Sequence, residues 1–253
     1  MAYFVEKNSI VRKIWGKGDT ILFIFAGASA EFALNKAVDW LYFTGKLPSD
    51  PLGRLFSTVS YARQIVFSEY NEALYAIDKI TAIHKNVEEK RGAQIPDWAY
   101  RDVLFMLIDY SIRSFEVMER KLTNEEKAET YDVFNRVGLR MGIKGLPENY
   151  FEWQKIRDEH LEQDLIKSDF TLDLYQQYKK HLGLLRYKLL KQAQVLVVPQ
   201  RVNKLLNLGS LPLLTPVMLG YKLSRFFKLE GIIRDTILPN EYKEQIRDLD
   251  VDF

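Results

Sequence analysis

Helix punctuation constrains this chain more than any other feature. Asp50-Pro51 offers an N-cap and a first-turn proline for a helix running to about Phe67. Ser68 is a candidate cap for the next helix, which would end at Gly92, a residue suited to the left-handed turn after a helix. Pro96-Asp97 opens a third, reaching about Lys121, and Thr123 with Glu126 has capping-box spacing for a fourth, ending near Gly142. Leu146-Pro147-Glu148 opens a fifth, and a sixth runs from about Thr171 to Val197, before Pro199. Leu223–Asp250 reads as one or two further amphipathic pieces. No segment shows sustained alternation with turn dipeptides between, and there is no repeat or low-complexity linker. The expectation is an all-α single domain of roughly eight to ten helices. The charge runs Glu88–Arg91 and Arg157–Asp164 read as solvated helix faces.

The sequence also excludes a good deal. With no cysteine, thiolate zinc sites, iron–sulfur clusters, disulfides and covalently attached haem are ruled out. That absence fits a reducing compartment, and the expected location is cytoplasmic. A net charge of +2 over 253 residues gives no electrostatic footprint for nucleic acid. The first dozen residues carry charges and no apolar signal region. The longest apolar stretch, Thr20–Ala30, is too short to span a bilayer, and Leu205–Leu219 is broken by Gly209, Pro212 and Pro216. Both read as buried core segments, with peripheral membrane contact left open for the second.

Several enzyme signatures are missing. There is no GxSxG, P-loop, GxGxxG or HExxH motif. The residues three before the histidines are Thr81, Arg157 and Tyr178, so no helix carries the Glu-x-x-His of di-iron proteins. A facial triad would have to gather His84, His160 and His181 from separate helices, and nothing in the sequence supports that. His160 and His181 sit among charges and read as exposed. His84 shares a helical face with Ala73, Ile77, Ile80 and Val87, which turns the ring towards the core. On spacing alone it is either a satisfied core histidine or a ligand. Arg54 and Thr58, four apart, lie on one face of the preceding helix with Ser57 beside them.

In combination these segments carry more. The order is Asp-Pro-x-x-Arg-x-x-x-Thr, an apolar helix, Ile-His-x-x-Val, then Trp98-Ala-Tyr-Arg-Asp102. This resembles the oxygenase family that includes the latex-clearing (rubber-cleaving) proteins and MpaB-type oxygenases. The likeness spans roughly residues 15–220, with a helical extension over about 221–253. It implies an all-helical fold holding a non-covalent b-type haem, with His84 as the iron ligand. Arg54 and Thr58 fall on the distal side, with Ser57 where latex-clearing relatives carry a lysine, which implies an open or water-occupied sixth position. Met106–Tyr110 stands where relatives have a Trp-Val-His element, and Glu88-Glu89 where they often have glycine. The implied activity is dioxygen-dependent oxidation of an apolar small molecule, an isoprenoid or lipid chain. In this scheme Arg54 and Thr58 are catalytic, Arg54, Ser57, Thr58 and His84 bind the cofactor, and His84 is the metal ligand. The alternatives are a non-catalytic haem-binding or sensing protein and a helical lipid-binding protein that has lost haem.

Overall fold

The structure, a computed structural model, describes residues 2–45, 49–210 and 250–251, without the side chains of residues 51, 52 and 55. Ten helices follow in order: α1 Ile10–Trp15, α2 Gly18–Phe32, α3 Val38–Phe43, α4 Pro51–Phe67, α5 Tyr70–Arg91, α6 Asp97–Met118, α7 Asn124–Met141, α8 Tyr150–Gln163, α9 Asp169–Val197 and α10 Gln200–Leu206. No strand occurs among the described residues; the only sheet-like pairings there are the single bridges Tyr3–Glu69 and Asn35–Leu165. The chain is all-α, as the punctuation predicts.

The local signals act much as read. Asp50 accepts a hydrogen bond from the Gly53 N–H at 2.8 Å and starts α4 behind Pro51. Thr123 and Glu126 close a complete capping box on α7. Gly92 and Gly142, at φ 67° and 76°, stop α5 and α7. Three boundaries move. Ser68 ends α4 rather than starting α5, whose first residue is Tyr70. Helix α6 stops at Met118, three residues early, and α8 starts at Tyr150 behind Asn149, whose side chain accepts from two N–H groups. Helix α9 is broken by Gly183 at φ 72°, ψ 169°. The extension beyond residue 210 lies almost entirely outside the described residues.

The apolar run Thr20–Ala30 is the centre of the fold. Ile21, Ile24, Phe25, Ala26, Gly27 and Ala30 of α2 are all buried. Helix α6 crosses it, contributing Phe105, Met106, Ile108 and Tyr110 to the core. The crossing needs Gly27, since a Cβ there would sit 2.1 Å from the Tyr110 ring. Helices α1 and α7 pack on one side of this pair, α9 on another, and the α4–α5 hairpin flanks them. A smaller core of Ala33, Val38, Leu174 and Tyr178 joins α3 to α9. No helix of the described residues is long and apolar enough to cross a membrane.

Candidate functional site

The α4–α5 hairpin brings Arg54, Ser57, Thr58 and His84 to one face. Gly53 lets the chain tighten around the Asp50 cap, because a Cβ there would meet the capping carboxylate at 2.0 Å. One residue on, the Arg54 guanidinium folds along the helix. Its Nη1 donates to Thr58 Oγ1 at 2.9 Å and to Ser57 Oγ at 3.2 Å. Both hydroxyls donate in turn to the Arg54 carbonyl, at 2.8 Å from Ser57 and 3.2 Å from Thr58. A guanidinium has five N–H donors. Among the described residues no carboxylate pairs with Arg54, and Nη1 is the only guanidinium nitrogen engaged. Burial pushes its pKa down, with Tyr61 opposing.

His84 is half-buried rather than enclosed. Ala73 and Ile77 of its face reach the core, but from Ile80 onward α5 emerges from the packed body. Nδ1 lies 2.9 Å from the Ile80 carbonyl oxygen. A carbonyl can only accept, so Nδ1 carries the proton and the lone pair falls on Nε2. Desolvation lowers the pKa, the Ile80 bond opposes this, and the nearby Arg54 charge lowers it further. The imidazole is therefore held neutral, in the tautomer that a metal ligand requires. Tyr100 packs edge-on against it, with centroids 5.3 Å apart. The Tyr100 hydroxyl donates to Glu88 Oε1 at 3.2 Å, which also accepts the Ile95 N–H at 2.8 Å. Glu88 is thus no solvated charge, and Arg91 in the same run pairs with Asp39 at 2.6 Å and stacks on Trp40.

The donor set is one neutral imidazole, with no described partner on Nε2, beside a guanidinium and hydroxyls on the neighbouring helix, and its chemistry is compatible with a b-type haem. Shallow, open hollows on the described surface occur at Tyr3–Asn8 and at Lys85–Gln94. Residues 211–249, where much of the broken apolar stretch falls, are outside the described set.

Two polar groups escape sequence reading, and one corrects it. The run Arg157–Asp164 is a solvated face only in part: Asp158, Glu159, Glu162 and Gln163 are exposed, while Arg157, His160 and Leu161 turn inward. Arg157 and His160 are 3% and 7% exposed, on the same side of α8 as buried Trp153 and Leu161. Arg157 grips Glu31 of α2 at 2.5 and 2.6 Å and reaches Asp109 of α6 at 3.0 Å. Arg113 closes on Asp109 at 2.6 Å, and the Tyr110 hydroxyl donates to Glu31 at 2.8 Å. Burial alone would lower the Arg157 pKa, but the two carboxylates outweigh it and raise it. Burial and the Glu31 charge push Tyr110 well up. The only signals were an acid closing the apolar run, Glu31, and an acid inside an apolar helix, Asp109.

The second group surrounds His160, where the sequence suggests exposure. Asp102 of α6 touches His160 Nδ1 through Oδ1 and accepts from Asn35 Nδ2 at 2.6 Å through Oδ2. Asp164, at the end of α8, brings a third donor, all within 4.8 Å of one another. His181 is exposed on α9, so the structure gathers no triad of histidines.

Residues 13–227 match the family described as ER-bound oxygenase mpaB/B'/Rubber oxygenase, catalytic domain. No curated protein and no solved structure matches. The match spans the α4–α5 hairpin and both polar clusters, and on it the chain belongs to the MpaB/rubber oxygenase catalytic-domain family.

Proposed function

We propose that this chain is a haem-dependent oxygenase that uses dioxygen on an apolar chain such as an isoprenoid or an unsaturated lipid. Membership of an oxygenase family gives the reaction class. The observation that carries the cofactor is the commitment of His84 Nδ1 to the Ile80 carbonyl, which leaves Nε2 as a neutral donor.

When bound, the haem supplies the dioxygen chemistry. The rest falls to the protein. His84 offers Nε2 to the iron, and its bond to Ile80 keeps the ring from rotating. Arg54, already oriented by Ser57 and Thr58, has spare N–H groups for an oxygen atom that gathers negative charge. The Thr58 hydroxyl, accepting from Nη1 and donating to the Arg54 carbonyl, holds that guanidinium in place. Tyr100, edge-on to His84, supplies an aromatic wall for an apolar chain. Serine at position 57 offers a hydroxyl that engages Arg54 and no amine, so residue 57 itself would not compete with dioxygen for a bound iron. The reaction that fits is addition of both atoms of dioxygen to one carbon–carbon double bond, which breaks into two carbonyl groups and consumes no external reductant.

The visible spectrum of the purified protein, before and after dithionite and after added haem, tests this. A Soret band that shifts on reduction is expected, and so is loss or displacement of that band in His84→Ala. Stoichiometric haem with an unchanged spectrum in His84→Ala would overturn the ligand assignment. Oxygen uptake with a polyisoprenoid or unsaturated lipid then tests turnover. Haem without uptake would make the chain a binding or sensing protein.

A further inference from the structure

We propose that Asp102, His160 and Asp164 form a second, separate site for one divalent transition cation of the zinc, manganese or iron(II) class, which ties α6 and α8 to the α2–α3 turn. Four observations carry it. His160 and Asp164 stand one helical turn apart at the end of α8, so both project from one face, and Asp102 meets them from α6. Asp102 Oδ1 and His160 Nδ1 are buried and in contact, yet neither completes a hydrogen bond. A buried carboxylate oxygen and imidazole nitrogen placed together out of water call for a positive centre, a proton or a cation, and Asp164 as a third donor favours the cation. The Asp164 carboxylate accepts no hydrogen bond from a described residue, and the bonds that Lys36 and Arg101 make nearby go to main-chain carbonyls. Lys36 donates to the Gln163 carbonyl at 2.5 Å, and Arg101 to the Lys144 carbonyl at 2.9 Å.

The surroundings are those of an oriented donor set rather than a chance cluster. Asn35 holds the far oxygen of Asp102 and is itself fixed by the Ala37 N–H at 2.8 Å. Phe105 stacks on the His160 ring, with centroids 5.2 Å apart and planes 23° apart. Such outer contacts fix the aim of ligating side chains. One imidazole and two carboxylates suit zinc, manganese or iron(II) better than calcium, which prefers oxygen alone. The main chain brings the same turns together, with Lys36 N–H to the Asp164 carbonyl at 2.9 Å and Ile166 N–H to the Leu34 carbonyl at 2.7 Å. A cation there would cross-link two segments far apart in sequence, α6 and the end of α8, with the α2–α3 turn joined to them through Asn35, and its role is structural.

The test uses the full chain, stripped with EDTA, titrated with Zn(II) by calorimetry and with Co(II) by visible absorption. One equivalent should bind, with ligand-field bands of Co(II) and a higher melting temperature. Asp164→Asn, at the half-buried helix end, should keep the helical circular dichroism and bind at least about tenfold more weakly. His84→Ala should bind as the parent does, which separates this site from the haem reading. If the stripped protein takes up neither ion, or if Asp164→Asn binds equally well, the proposal fails. His160 and Asp102 would then be a proton-sharing pair.

Discussion

The Glu31–Asp109–Arg157 cluster and the Arg54–His84 face are both polar, and the fold treats them in opposite ways. In the first, two carboxylates meet two guanidiniums and a phenol, and the partners come from three helices. In the second, Arg54 spends one nitrogen on hydroxyls of its own helix and His84 spends one nitrogen on its own backbone. A saturated cluster holds elements together and has nothing left to offer a ligand. A cluster satisfied only from within its own helix keeps its free donors and acceptors, and does so without help from the tertiary fold.

The contrast breaks or sharpens under mutation. Arg157→Ala strands Glu31 and Asp109 in the core and should cost about 3–5 kcal/mol, read from urea unfolding. A cost below about 1 kcal/mol would mean that water reaches those carboxylates and that the cluster is not closed. Gly27→Ala drives a methyl into the buried Tyr110 ring and should cost about 1–3 kcal/mol, with the Tyr110–Glu31 bond disturbed as well. Gly183→Ala meets no neighbouring atom, so only the left-handed backbone resists it, and about 1 kcal/mol is expected. At the other cluster the stability effects should be smallest. His84→Gln should unfold within about 0.5 kcal/mol of the parent at pH 8, while abolishing or shifting any haem spectrum. Its signature lies in pH. The folded His84 pKa is below the ordinary value near 6.5, so the unfolded chain binds more protons in that range. The contribution of His84 to stability of the haem-free protein is complete above about pH 6.5 and falls as pH drops through it. His84→Gln should flatten that slope, and an identical slope in both proteins would show that the imidazole is not held neutral.

How much could be read from the residues follows the same division. Caps, stops and the central apolar helix were legible because each depends on neighbours within a turn: Asp50 with Gly53, Thr123 with Glu126, Gly92 after Arg91. The Arg54–Thr58 pair was legible for that reason too. Glu31 with Arg157 and Asn35 with Asp102 were not, because nothing local ties residues so far apart. His160 was misread for a different cause. Its octet was judged by its charge count, whereas Trp153, Arg157, His160 and Leu161 follow helical spacing and share one buried face. Weighing position against charge would have found it. Ser68 failed as a cap because a short polar side chain between two helices can end one as readily as it starts the next.

The start of α2 has a further consequence. Lys17 supplies no side-chain cap for this central helix; the Gly18 N–H instead donates to Asp250 at 2.8 Å, and the Val251 N–H to the Gly16 carbonyl at 2.9 Å. The helix against which α1, α6, α9 and α10 pack therefore receives its capping carboxylate from a residue made 232 positions later. During synthesis α2 must wait for that cap with an open amino end. Closing that cap is then a check that synthesis has passed Asp250, and Asp250→Ala would take a stabilising contact from the middle of the fold rather than trim its edge.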